Sequence, residues 1–421
     1  MALLDRLREP RIHFWMLAAI AVISFIAQLL AMHAPDVYGE PYLIARNIVH
    51  GKGFVFLYPY TFQESVTAYV PPLYAWLCVP FLASGLGETG IQIFNLLCLQ
   101  TACFFIYRFF RPYTTANISL LIFAAVSFYI PFWALADALE PNALNILLLV
   151  LTVLCLANLS KRPSRKLWIA VGVLTGLQLL VRPDMLLGAT LFSLWLIIVR
   201  RNQWLQIAKG IAIAALVAVA IVAPWTIRNY LTFHKFVLVS ANSGMNLFTG
   251  NNPVATGEFR ETGITPESER IYHQVLDYSK SHDQIEVDRL RWQIAMDWIK
   301  AHPMEAAALD LKKIAYHWIG RAHTGNEYRV WTPGLASDWM KNAYRIFSIV
   351  LIAFGAIGLF SQRAKPIRSL LLVVFLYSTI VSAIFFVQSR HRTLKVDPFL
   401  VPLATIGVVM VGARLPKNAR S

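Results

Sequence analysis

Two carboxylates, Asp36 and Glu40, stand just beyond the first long apolar run, in the stretch APDVYGEPYLIARNIVHGKGF. A carboxylate at a membrane surface, partly shielded from bulk water, has its pKa raised and is suited to take a proton from a hydroxyl or amine. Both residues fit that role, and their spacing does not choose between them. His50 and Lys52 follow on the same stretch. Lys52 lies between Gly51 and Gly53, where bare backbone lets a ligand come close, so the two cations read as a weak phosphate signal.

A second acidic pair, Asp137 and Glu140, lies in LADALEPNAL between two apolar runs, where carboxylates are costly unless they face water or a cavity. Three residues apart at a helix start, they share a face. There they complement the helix dipole, help to bind a divalent cation, or orient an acceptor. Further on, Arg182-Pro183-Asp184 again interrupts apolar sequence. Proline breaks the helix there, and a guanidinium can hold a phosphate bidentately. The loop SRHRTLKVDPFL brings Arg390 and Arg392 together in one basic cluster. Finally, the apolar run ending at Pro224 opens into PWTIRNYLTFHKFVLVSANSGMNLFTGNNP. Its Arg228 offers another phosphate contact, and Asn229, Asn242, Asn246 and Asn251 offer amides to a sugar or an acceptor.

All of these residues sit at the ends of apolar runs, and composition explains why. Of 421 residues, 57% are hydrophobic and 14% charged, with mean hydropathy +0.54. A soluble domain has no interior large enough for that, and repeated runs of ~20 apolar residues predict an all-α polytopic membrane protein. A β-barrel would show weak alternation in segments of ~10 residues instead. The net charge of +15 would suggest nucleic acid in a soluble chain. Here the Lys and Arg crowd short loops beside apolar runs, as cytoplasmic flanks do, so membrane lipid and not nucleic acid is the expected surroundings. Cys78, Cys98, Cys103 and Cys155 lie inside apolar segments without metal spacing and read as helix packers.

Ten spans are expected, over 13–33, 90–110, 116–134, 138–159, 167–182, 184–200, 206–224, 345–361, 368–388 and 396–413. The segment 71–86 opens with two prolines and is short. If it crossed, four consecutive basic loops would fall on the wrong side, so it reads as re-entrant or interfacial. Both termini are then cytoplasmic, the protein is a multi-pass inner-membrane protein, and loops 34–89 and 225–344 face the periplasm. The domains expected are a transmembrane module over 1–224, a mainly helical outer domain over 225–344, and C-terminal helices over 345–421. The Arg390 cluster is the one strongly basic short loop on the outer side. An anionic ligand accounts for it, and an inverted last pair of spans is the alternative.

Five pieces occur in order: the acidic loop ending ARNIVHGKGF, then PPLYAWL, Asp137, LVRPDMLL, and APWTIRNYLTFHKFVLVSANSGMNLFTGNNP. HPMEAAALDLKKIAYHWIG and RHRTLKVDPFLVPLA follow. Over nearly the whole chain this order resembles the membrane glycosyltransferases of the GT-C fold, in the branch of the protein O-mannosyltransferases and the lipid A aminoarabinose transferase. The resemblance implies a GT-C-like bundle and a polyprenyl-phosphate sugar donor, used on the non-cytoplasmic face. It places the base on Asp36. Many members carry Asp-Glu in tandem there, whereas Val37 follows Asp36 and Glu40 comes later, so either carboxylate remains open as the base. Asp137 matches the family's second acidic position. Tyr69-Val70 replaces a lysine or glutamate before the PP element, which leaves the acceptor side open.

The mechanism so implied is one inverting displacement. Asp36 or Glu40 deprotonates the acceptor, and cations among Arg182, Arg228, Arg390 and Arg392 hold the departing polyprenyl phosphate. No cofactor is required; a divalent metal is compatible, but no ligand cluster supports it. The acceptor is a glycolipid, lipopolysaccharide, glycan or protein. Two rival readings are a non-catalytic subunit that binds lipid-linked sugar and a flippase or transporter of such lipids. Inverted repeats, which many transporters carry, are not evident.

Overall fold

The computed structural model describes residues 10–35, 39–57, 64–258, 266–319 and 338–414. Asp36 lies outside the described residues. The first apolar run forms helix α1 (Pro10–Ala31), which packs loosely against the rest. After it come a short helix α2 (Glu40–Val49) and a two-stranded antiparallel ribbon, β1 (Val55–Leu57) and β2 (Glu64–Val66), with Phe56 opposite Ser65. The segment expected to be re-entrant forms one helix, α3 (Leu73–Ala83), whose 11 residues rise only ~16 Å. Its first amide, Leu73 N–H, donates to Leu180 O (3.1 Å), fixing it to the bundle.

The bundle continues through α4 (Gly87–Phe110), α5 (Ala116–Ser127), α6 (Ile130–Asp137), α7 (Asn142–Leu159), α8 (Arg165–Leu179), α9 (Met185–Val199) and α10 (Trp204–Phe233). The run 116–134, expected as one span, is two helices bent by 44° to each other. Pro131 explains the break: it has no N–H to donate and its ring would crowd the Ser127 carbonyl one turn back, so the first helix ends, Tyr129 is extended, and a new helix starts with the proline in its first turn. By length and hydropathy, five described helices can cross a membrane, or six if the bent pair counts as one. Several of the other expected spans are shorter apolar helices, and Arg182-Pro183 sets the length of two of them.

Beyond α10 the chain forms a helical layer: α11 (Ser243–Gly250), α12 (Pro266–Ser279), α13 (Gln284–Ala301) and α14 (Pro303–Ile319). Asp283 begins α13 with a capping box, accepting from Ile285 and Glu286 N–H (both 3.0 Å). The chain then returns through α15 (Asp338–Leu359), α16 (Arg368–Ile384), the two-turn helix α17 (Ser389–Lys395) and α18 (Asp397–Arg414). Glycines allow close helix contact: a Cβ on Gly358 would strike Leu403 O, and one on Gly407 would strike Phe354 O. The buried core is continuous across the bundle, from Leu99 and Ile106 to Phe399 and Leu403. At one end of it the turns α6–α7, α8–α9 and α16–α17 converge with α2 and α11.

Candidate active site

That convergence encloses a cavity of about 360 Å³. Its polar lining includes Glu40, Glu140, Arg182, Asn242, Asn246 and Arg390, and its apolar walls include Val70, Tyr74, Val381 and Phe385. Residues expected to act together from five separate stretches of the chain therefore face one space.

The two carboxylates meet because of a glycine. A Cβ on Gly39 would stand 2.9 Å from Leu139 O and 3.0 Å from Glu140 Cγ, closer than side chains pack. Only a residue without one lets the first loop lie against the second. Glu40, the next residue, faces the open space of the cavity. Surrounding protein still raises its pKa by desolvation, its own backbone N–H opposes this, and the Glu140 charge adds to the rise. Burial would raise Glu140 too, but Arg390 pairs with it and Asn142 Nδ2 donates to it at 2.8 Å, so its pKa falls. Adjacent carboxylates are thus driven apart, as in acid–base pairs generally. Glu140 stays an anion that holds Arg390, while Glu40 is the readier proton acceptor.

The cations come from two turns. Arg390 also donates Nε to Gln388 Oε1 (2.6 Å), which fixes its direction. Arg182 donates Nε to Asp184 Oδ1 at 3.4 Å, and its other N–H groups find no acceptor among the described residues. Asp184 in turn pairs with the buried Lys395 and accepts from Tyr377 OH (3.2 Å). Burial opposes that charge, yet Lys395 and Arg182 hold the Asp184 carboxyl well below the usual carboxylate range. Helix α17 therefore supplies Arg390 to the cavity and Lys395 to the support beneath Arg182.

The amide wall is fixed by a cap. Asp288 on α13 accepts from Gly244 N–H (2.9 Å) and Met245 N–H (2.8 Å), the first free amides of α11. This holds Asn242, Ser243 and Asn246 at the rim of the cavity. Among the described residues no three His, Cys, Asp or Glu side chains are grouped to hold a metal ion.

Residues 69–227 match the model of a family described as dolichyl-phosphate-mannose-protein mannosyltransferase. No curated protein sequence matches the chain. Among solved structures it is similar to the archaeal oligosaccharyltransferase AglB from Archaeoglobus fulgidus, solved in complex with an inhibitory peptide and a dolichol-phosphate. The TM-score is 0.53 at 13% identity, over 95% of this chain. The chain spans about half (51%) of the length of that protein. It has the GT-C fold of membrane glycosyltransferases.

In this GT-C chain, seven other candidates lie away from the cavity, each with a structural duty. Asp137 accepts from Gln92 Nε2 (2.8 Å) beside a separate small void. Arg228 stacks on Trp225 (4.6 Å) and donates to Thr67 O (2.8 Å), so it ties α10 to the first loop. Asn229 is fully buried and donates to Val237 O and Val239 O (both 3.2 Å). Asn251 is buried too, donating to Ile384 O and accepting from Lys313 Nζ (both 2.8 Å). Arg392 is enclosed by Asp397 (3.0 Å), Trp318 O (2.8 Å) and Tyr344 OH (3.0 Å). Lys52 pairs with Glu64 (2.5 Å) on the exposed ribbon, next to His50, whose Nδ1 meets Arg46 O (2.7 Å).

The structure also adds residues that the sequence reading did not select. Tyr74, Asn142, Ser243 and His391 line the cavity. Asn142 follows Glu140 by two residues and His391 stands between the two arginines, so adjacency was the available signal. Nothing in the sequence links Lys395 to Asp184, 211 residues away.

Proposed function

We propose that the chain transfers a sugar from a polyprenyl-phosphate donor to an acceptor at the 360 Å³ cavity, on the periplasmic face of the inner membrane. The observation that carries this reading is the joining of Glu40, Glu140, Arg182 and Arg390 at the end of an apolar bundle. A proton acceptor and the unspent N–H donors of Arg182 at the end of apolar helices match a reaction whose leaving group is a lipid phosphate. The family matched over 69–227 and the dolichol-phosphate bound by AglB support the same donor class.

Glu40 or Asp36 takes the proton from the acceptor nucleophile as that atom attacks the anomeric carbon and the carbon–oxygen bond to phosphate breaks. The charge growing on the departing phosphate meets Arg182, and Arg390 as its pairing with Glu140 is shared. Asn242 and Asn246 face the sugar or acceptor. No step calls for a nucleotide or redox cofactor.

Purified protein in lipid nanodiscs, offered a panel of polyprenyl-phosphate sugars and cell-envelope acceptors, tests this. Transfer from one donor supports the reading. Tight donor binding without transfer would favour a lipid-linked-sugar binding subunit, and movement of donor across vesicles would favour a flippase.

A further inference from the structure

One polar residue of the cavity wall has a hydrogen-bond donor to spare. His391 on α17 is only 8% exposed, and its ring lines the cavity together with Arg182 and Arg390. Its two nitrogens have different surroundings. Nδ1 accepts from Gln388 N–H (3.4 Å), closing the capping box that starts α17, so its lone pair is engaged. In the neutral ring the proton then sits on Nε2. Nε2 finds no partner among the described residues. A buried N–H without an acceptor is costly, and a ligand oxygen at this position removes the cost.

The surroundings keep the ring uncharged. Arg390 and Lys395 belong to its own helix, and Arg182 and Asp184 come from the α8–α9 turn. Glu140 from the α6–α7 turn and Glu40 from α2 line the same cavity. His317 reaches toward it from α14, its own nitrogens engaged by Ser378 and Ser382 Oγ (3.2 and 3.0 Å). Arg392 and Asp397 satisfy each other (3.0 Å). Burial, followed by the charges of Arg182, Lys395 and Arg390, holds the His391 pKa well below its ordinary value. Protonation would also set an N–H at Nδ1 against the Gln388 N–H and break the cap.

We propose that His391 binds the phosphate of the lipid donor through Nε2–H, as a permanently neutral hydrogen-bond donor beside the charged donors Arg182 and Arg390. This rests on the reading of the cavity as a site for a phosphate-linked donor. Cations draw a phosphate in, whereas one N–H held by a cap fixes where an oxygen lies. When the bond to the anomeric carbon breaks, its electron pair stays on the phosphate, which then carries one more negative charge than the bound donor. A neutral N–H orients that group without adding a cation that would hold the product.

Two substitutions separate the two nitrogens. His391→Asn keeps an oxygen where Nδ1 stood and loses the N–H at Nε2. His391→Gln places an N–H where Nε2 stood and loses the cap. Binding of methyl undecaprenyl phosphate, a phosphodiester of constant charge, to the purified full chain in nanodiscs would be measured between about pH 5 and 8. His391→Asn should weaken binding ~10–100-fold, and His391→Gln should stay within ~3-fold. The ratio of native to His391→Gln affinity should be the same at every pH, since Glu40 and the other titrating groups are common to both. Should one variant fail to fold, the other, read against the unaltered protein, still decides. Weaker binding in His391→Gln than in His391→Asn is the order a purely structural role gives, and it would overturn the proposal, as would a ratio that climbs as pH falls. Binding untouched by either variant would overturn the role of His391 alone. No binding to the unaltered protein would end the donor reading with it.

Discussion

Asp184 is the anion on which one side of the cavity rests, and Asp184→Asn tests how firmly. Its side chain is 14% exposed and that of Lys395 only 3%, so solvent screens their pairing little. Removing one partner of a buried pair leaves an uncompensated charge, which costs about 3–5 kcal/mol. At roughly 2 °C per kcal/mol, thermal unfolding followed by tryptophan fluorescence should fall by at least ~6 °C. The loss should be pH-dependent. Burial already lowers the Lys395 pKa, and without Asp184 it drops further. Between that lowered value and about 10.5 the unfolded chain binds more protons than the folded one, so stability of the variant rises with pH in that window. Lys395→Met added to Asp184→Asn removes the stranded ammonium and should recover more than half of the loss. An Asp184→Asn protein within ~2 °C of the unaltered one, or a double variant no better than the single, would refute the reasoning.

Arg182→Leu removes cationic hydrogen bonds worth about 1.5–3 kcal/mol, so donor KM should rise ~10–100-fold; an unchanged KM would remove Arg182 from the phosphate site. Gly39→Val forces the first loop off Glu140, and transfer should fall more than melting temperature does; a loss of stability alone would contradict this. Arg228→Leu gives up its stacking on Trp225 and its bond to Thr67 O, so stability should drop by about 1–3 kcal/mol with donor KM unchanged.

The helices were legible because continuous apolar sequence in a membrane leaves the backbone little choice. The break at Tyr129-Ile130-Pro131 was written in the chain, but hydropathy runs through it unchanged and hides it. Arg182 and Arg390 stood out as charges in sequence that penalises charge, and both line the cavity. Arg228 and Arg392 carried the same signal, yet their partners are an aromatic stack and a buried aspartate supplied by the fold. The asparagines divide for a similar reason. Asn229 and Asn251 satisfy nearby backbone carbonyls, whereas Asn242 and Asn246 sit at the held end of α11. An amide in a sequence does not say which of these it does, because the choice depends on Asp288, over 40 residues further on.

Sugar transfer by base-deficient protein tests the central claim most directly. Purified protein, Glu40→Gln and Asp36→Asn would be compared in single turnovers with a competent donor across pH, and the product's anomeric configuration read by NMR. The product should be inverted. One of the two variants should lose about 10²–10⁴ in rate. If Glu40 is the base, the acid limb of the native profile should lie above the ordinary glutamate value, because desolvation by the surrounding protein and the nearby Glu140 charge raise its pKa. Retained configuration, or full activity in both variants, would contradict a carboxylate-assisted displacement at this cavity.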